Sequence, residues 1–193
     1  TDNPPPDAAL DAIAASLRAA KTPGLVVGAG VDRDGAWDET VQLAERLGAP
    51  VWASPMVARA AFPEDHRLFA GHLPPLRQPL ADALAPHDVV LVLGAPVFTY
   101  HVHTGGEFLR PGTTLHLLTD DPHEAARAAV GSAATGALKP GVAGLLTRLA
   151  HVTPSGQQGR APVPPPADTG LSGERVMATI ARVMPDDAIL VEE

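Results

Sequence analysis

A chain of 193 residues, 45% hydrophobic and 19% charged, is long enough to bury a full core and too apolar to be disordered. Its formal net charge of −8, with 14 basic residues scattered along it, excludes the clustered Lys and Arg surface that nucleic acid requires. There is no cysteine, which rules out disulfides and thiolate metal sites, and apolar runs such as Val89 to Leu93 are too short to span a bilayer.

The acidic, proline-rich start (Thr1 to Asp7) does not read as a signal peptide, so a soluble cytoplasmic protein is expected. Abundant Ala and an excess of Arg over Lys point to a GC-rich bacterial genome. Pro4-Pro5-Pro6 reads as a linker, with Asp7 as the N-cap of a helix to about Lys21 whose Leu10, Ile13, Ala14 and Leu17 share a face. Leu25-Val26-Val27 closed by Gly28-Ala29-Gly30 has the pattern of a buried parallel strand entering a tight turn. A second helix is expected over Trp37 to Leu47, terminated by Gly48 in a left-handed conformation, and Val51 to Ala53 forms the next strand.

Residues 54 to 75 are proline-rich and read as mostly irregular, with Leu68 to Ala70 as a short edge strand. Leu76 to Leu84 has helical spacing, and Asp88 to Leu93, with five branched apolar residues in a row, is the strongest strand signal. Thr114 to Leu118 is a further strand. Asp120-Asp121-Pro122 caps a helix to about Ala128, Ala133 to Ala137 is a weaker strand, and Pro140 begins a helix with Leu145, Leu146 and Leu149 on one face. Residues 152–169 are a linker by composition. Beyond it, Val176, Ile180 and Val183 mark a helix and Ala188 to Val191 a strand, which read as the start of a further domain over 170–193. Strands alternating with helices predict an α/β, Rossmann-like doubly wound domain over 1–151. About six strands form its mostly parallel sheet, with helices on both faces.

Four groups of residues carry candidate chemistry. Gly28-Ala29-Gly30 lacks the third glycine of a dinucleotide fingerprint, since position 33 is Arg, so a plain strand-to-helix turn is favoured over a phosphate cradle. Neither Lys21 nor Lys139 follows a glycine, so no P-loop exists. Asp120-Asp121 ends a strand, where an acidic residue can hold a ribose hydroxyl, but the following Pro122 favours a helix cap. His101 and His103 form an H-x-H pair that can bind zinc only with a third ligand, and Glu107 is the one nearby carboxylate. A loop histidine beyond a parallel strand is also placed to move protons, or is simply solvated. Ser54, Ser132, Ser155 and Ser172 lie in no nucleophile-elbow context.

The run His87-Asp88-Val-Val-Leu-Val-Leu-Gly94-Ala95-Pro96-Val97-Phe98-Thr99-Tyr100-His101 resembles the central domain of the benzoylformate decarboxylase family of thiamine-diphosphate-dependent enzymes. Leu43-Ala44-Glu45-Arg46-Leu47 with Ala49-Pro50-Val51-Trp52 is similar to the same family. So are the F-x-G-x-L-P pattern of Phe69 to Pro74, Leu109-x-Pro111-Gly112-Thr113, and Asp121-Pro122-x-Glu124-Ala125-Ala126-Arg127. The resemblance covers most of residues 10 to 138, and Leu171 to Val191 resembles the family's entry into its third domain.

The resemblance implies a central scaffold domain of a three-domain, homo-oligomeric enzyme, a tetramer when intact, with no nucleic-acid or membrane partner. The implied reaction is decarboxylation of an aryl 2-oxo acid, benzoylformate to benzaldehyde and carbon dioxide, with thiamine diphosphate and magnesium as cofactors. Those cofactors would sit between the first and third domains, so this stretch alone is expected to bind none and to be inactive. His101 matches the one catalytic residue that the family takes from its central domain, a histidine that moves protons to and from cofactor-bound intermediates. After His101 the chain reads Val-His-Thr-Gly-Gly-Glu107, where the family has an Asp-Pro-Gly turn. The family's Gly-Asp-Gly and Asn metal motif has no match, because Arg33 precedes Asp34-Gly35 and Asn3 is the only asparagine. Two alternatives remain open: an acetolactate-synthase-like member of the superfamily, or a stand-alone FAD- or ADP-binding module, since related central domains can hold those nucleotides.

Overall fold

The computed structural model describes residues 3–157, 159, 161, 166, 170–185 and 187–189. It divides into two units, Thr1–Arg160 and Ala161–Glu193. In the first, helix α1 (Asp7–Ala19) leads to strand β1 (Pro23–Val27), a short helix α2 (Ala29–Arg33), helix α3 (Trp37–Leu47) and strand β2 (Val51–Ala53). Strand β3 (Phe69–His72), helix α4 (Arg77–Leu84) and strand β4 (Val89–Leu93) follow. Strand β5 (Thr114–Thr119), helix α5 (Pro122–Arg127), strand β6 (Ser132–Thr135) and helix α6 (Leu138–Arg148) complete the unit.

The six strands form one sheet in the order β3-β2-β1-β4-β5-β6, and every neighbouring pair is parallel. The expected doubly wound α/β fold is therefore present, with the sheet wholly rather than mostly parallel. Strand residues alternate between two cores. Leu25, Val27, Leu91, Leu93 and Leu118 pack under α1, α3 and α6, which supply Leu10, Leu17, Leu43, Leu47, Leu138 and Leu145. Val26, Val90, Val92, Leu115 and Leu117 face the other way, against Leu80 and Leu84 of α4 and against Val97 and Phe98. A strand covered on both faces must be apolar at every position, which is why β1 and β4 read as unbroken runs.

Strand and helix ends moved where tertiary contacts compete with local signals. Pro6, not Asp7, is the N-cap of α1. The Asp7 carboxylate lies 2.6 Å from Arg148 of α6 instead, and Asp11 takes a second bond from the same guanidinium at 2.6 Å. Helix α1 ends at Ala19 rather than Lys21, whose amide donates to the Asp88 carboxylate at 2.7 Å. The edge strand is Phe69–His72 rather than Leu68 to Ala70, the last strand is Ser132–Thr135 rather than Ala133 to Ala137, and α6 begins two residues before Pro140. Gly48 closes α3 in the left-handed conformation expected of it, at φ 61°. Helix α2 has only five residues and shows no periodic signal in the sequence.

The start of the proline-rich stretch is bound to this unit. The Ser155 amide donates to Leu47 O at 2.8 Å, and the Gln157 side chain donates to Pro23 O at 2.8 Å. Much of the expected linker, positions 158, 160, 162–165 and 167–169, lies outside the described residues. In the second unit helix α7 (Gly173–Val183) is capped by the Ser172 hydroxyl, which accepts from Arg175 N at 3.3 Å. Its Val176, Ile180 and Val183 are exposed. The strand expected over 188–191 falls partly on positions outside the described residues.

Two buried histidines make this fold sensitive to acid. His116, mid-strand in β5, has Ser132 Oγ at 2.7 Å from one ring nitrogen and Ser16 Oγ at 2.8 Å from the other, so a neutral ring donates to one hydroxyl and accepts from the second. Burial pushes His116 below its ordinary 6.5. Burial also lowers His87, outweighing the opposing influence of Thr22 and Asp88. In both cases the unfolded chain takes up a proton that the folded chain refuses, so stability falls as pH drops below about 6.5. Denaturant midpoints should therefore decline between about pH 7.5 and about pH 5.5, and His116→Gln should flatten the slope. A midpoint constant across that range in the wild-type protein would contradict this assignment.

Candidate functional site

The crevice of a doubly wound sheet opens where strand order reverses, here beyond the carboxyl ends of β1 and β4. In this chain the backbone itself closes much of it. The Gly28 amide donates to Leu93 O at 3.0 Å and the Gly30 amide to Gly94 O at 2.9 Å. A Cβ on Gly28 would stand 2.5 Å from the Ala95 methyl and 2.6 Å from Gly94 O. Gly28 and Gly30 are thus required for the close crossing of the two turns, and the space a phosphate would need is filled by Gly94 and Ala95.

The acidic residues of this edge are engaged as well. Asp120 lies 2.6 Å from Arg33, and that hydrogen bond raises the guanidinium pKa against the cost of burial. Asp121 is the N-cap of α5 and accepts from His123 N at 2.7 Å, which holds its carboxyl below the usual range. The Asp34 carboxylate accepts from the Leu138 amide at the start of α6. What remains is a pocket of about 140 Å³ lined by Gly28, Arg33, Ser54, Met56, Thr99 and Glu124, beside a second of about 310 Å³ lined by Pro96, Val97, Phe98, Thr99, Glu124 and Arg127. The first lies below, and the second at the lower end of, the roughly 300–1,000 Å³ of small-molecule sites. Ser54 is buried in the first, and its hydroxyl has no hydrogen-bond partner among the described residues.

The second feature of the carboxyl edge is the segment from Gly94 to Thr113 that joins β4 to β5. Ala95, Val97 and Phe98 are buried in the core beneath α4, which fixes the outgoing limb. Tyr100 is half-buried, and His101, Val102 and His103 are exposed. The His101 amide donates to Pro75 O at 2.9 Å, so its backbone is pinned to the turn before α4 while the side chain stays outside. The returning limb is held by the same helix: Arg110 bonds Asp82 at 2.5 Å, and the Glu107 amide donates to the Gln78 side chain at 3.4 Å.

The H-x-H pair does not gather a third ligand. The Glu107 carboxylate turns to Arg110 at 3.3 Å, and no group of three metal-ligating side chains occurs among the described residues. The other serines have structural partners: Ser132 bonds His116, Ser155 bonds Gly48 O and Ser172 caps α7. One contributor to this edge carries no sequence signal. Arg77, the first residue of α4, places its guanidinium 4.1 Å from the centre of the Phe108 ring and 5.7 Å from that of Tyr100. Only folding brings positions 77, 100 and 108 together. Among the described residues no helix is long and apolar enough to cross a membrane.

The architecture has counterparts in known proteins. Residues 10–145 match the family model described as the thiamine pyrophosphate enzyme central domain. The chain is 38% identical to benzoylformate decarboxylase of Pseudomonas aeruginosa, over 98% of this chain and 36% of that protein. It is 34% identical to sulfoacetaldehyde acetyltransferase of Alcaligenes xylosoxydans xylosoxydans, over 76% of this chain and 25% of that protein. The crystal structure of benzoylformate decarboxylase from Polynucleobacter necessarius superposes with a TM-score of 0.86 at 31% identity, covering 100% of this chain and 37% of that one. The chain thus spans roughly a third or less of the curated relatives it matches, and their remaining length holds further domains. With the all-parallel sheet and the matched residues together, the chain belongs to the family of thiamine pyrophosphate enzyme central domains.

Proposed function

We propose that this chain is the central scaffold domain of a thiamine-diphosphate-dependent decarboxylase that converts benzoylformate, or a close aryl 2-oxo acid, to an aldehyde and carbon dioxide. The observation that carries the reading is the 38% identity to a benzoylformate decarboxylase along nearly the whole chain. In this reading residues 1–151 are the central domain, 152–169 the linker and 170–193 the entry to the third domain. The intact enzyme is a cytoplasmic tetramer, and His101 is the catalytic residue this domain contributes.

The residues here do not fit thiamine diphosphate and magnesium. The Gly28–Gly30 turn is filled by Gly94 and Ala95, the acidic side chains at the sheet edge are committed to Arg33, His123 N and Leu138 N, and no metal-ligating trio forms among the described residues. In this reading the cofactor is held by the other domains, and this domain's chemical part is to hold an imidazole at the end of the sheet.

The test is the intact enzyme supplied with benzoylformate or with pyruvate. Aldehyde and carbon dioxide from benzoylformate are expected. Acetolactate from pyruvate would instead favour an acetolactate-synthase-like enzyme. An acyl-transferring relative has specific support in the 34% identity to a sulfoacetaldehyde acetyltransferase, and would appear as transfer to an acceptor instead of aldehyde release. Residues 1–193 alone, titrated calorimetrically with thiamine diphosphate and magnesium, should give no binding heat; a micromolar site would overturn the scaffold reading. Crowding at Gly28 argues against a stand-alone FAD or ADP module, which co-purified flavin absorbance or a melting shift with ADP would restore.

A further inference from the structure

The segment carrying His101 is exposed at its tip, yet it leaves and rejoins the domain through two aromatic side chains, Tyr100 and Phe108. Their ring centres are 6.4 Å apart, tilted by 49°, and the Arg77 guanidinium lies against both. Seven residues, 101 to 107, are thus gathered between two rings and one cation. Within this cluster the contact is between rings and cation. The Tyr100 hydroxyl and Arg77 Nε are buried and have no hydrogen-bond partner among the described residues, and no carboxylate pairs with Arg77 there. Cation–π contact of this kind favours one arrangement of a short loop over its alternatives.

The remaining contacts act on backbone or on the returning limb. The Pro75 carbonyl holds the His101 amide, and Gln78 and Asp82 hold Glu107 and Arg110. None of them reaches the outgoing ring at Tyr100, next in sequence to His101. Arg77 alone touches both limbs through side chains at the point where the histidine projects.

We propose that Arg77 is a positioning residue for His101, clamping Tyr100 and Phe108 so that the imidazole is held at one place over the carboxyl edge of the sheet. The assignment rests on the reading of His101 as the proton-moving residue. A catalytic group displaced by about 1 Å loses about a hundredfold in rate, so a loosened clamp costs turnover rather than binding.

The experiment is a double-mutant cycle on the intact enzyme with its cofactor, measuring kcat, KM and thiamine diphosphate affinity for Arg77→Ala, His101→Ala and the pair. Arg77→Ala should lower kcat by about ten- to a hundredfold with KM and cofactor affinity unchanged. On the His101→Ala background the same change should have no further effect. Arg77→Lys, which keeps a cation over the rings, should recover most of the lost rate. Full additivity of the two losses would overturn the clamp while leaving His101 catalytic. A His101→Ala enzyme with wild-type turnover would overturn the His101 reading, and the clamp with it. If Arg77→Ala does not fold, Phe108→Leu removes the same stack from the other side and enters the same cycle with the same expectations.

Discussion

His101→Ala in the intact enzyme should lower turnover by about a hundredfold to ten-thousandfold, the range for losing a positioned acid–base group, with thiamine diphosphate affinity and melting temperature unchanged. The structure separates these outcomes. The fold uses His101 only through its amide, which alanine retains, and the side chain is exposed, so its removal opens no cavity. Neighbouring His103, two residues further on the same exposed segment, is the natural control and should tolerate alanine with little loss. Turnover and product formation from benzoylformate, followed with a cofactor titration of each variant, check the prediction. Unchanged turnover in His101→Ala would remove the residue from the mechanism; an equal loss in His103→Ala would show that the segment acts as a whole.

Gly94→Ala should destabilise the domain by about 2–5 kcal/mol, by adding the roughly 1–2 kcal/mol of a left-handed residue bearing a side chain to the roughly 1–3 kcal/mol of overpacking. Gly94 sits at φ 59°, and a Cβ there would lie 2.7 Å from the Leu138 side chain and 2.8 Å from the Gly30 backbone. The Leu138 methyl has some freedom to move, but the Gly30 backbone belongs to the β1–β4 crossing and has little. Gly35→Ala provides the comparison, since Gly35 has a similar φ of 63° but nothing within 4 Å of an added Cβ. It should lose only about 1–2 kcal/mol. Denaturant unfolding of both variants isolates the crowding; equal losses would show that the crossing relaxes freely. Gly94 also opens the segment leading to His101, so the intact Gly94→Ala enzyme should lose turnover along with stability.

Much of the fold was legible because its determinants are local. Five branched apolar residues at Val89–Leu93 can only be a strand buried on both faces, and Gly48 after Leu47 marks a helix end wherever the helix packs. The alternation of such strands with amphipathic helices was sufficient for a doubly wound sheet, and the motif through His101 was specific enough to point to the family. The residues around that histidine were less legible. That Gly28 and Gly30 form a plain strand-to-helix turn could be read from the missing third glycine, but the neighbours that crowd them, Gly94 and Ala95, are more than sixty positions away and met only in the fold. Asp7 had the chemistry of a cap and became a partner of Arg148, because the helix starts one residue earlier, with Pro6 at the N-cap position and no side-chain capping bond, and the Asp7 carboxylate pairs across α1 and α6. Local propensity and periodicity, which act within a few residues, determined the elements and their order. Packing at long range decided which glycines touch, which carboxylates are occupied and which arginine stands over Tyr100 and Phe108. Those choices depend on side chains that meet only after the sheet has closed.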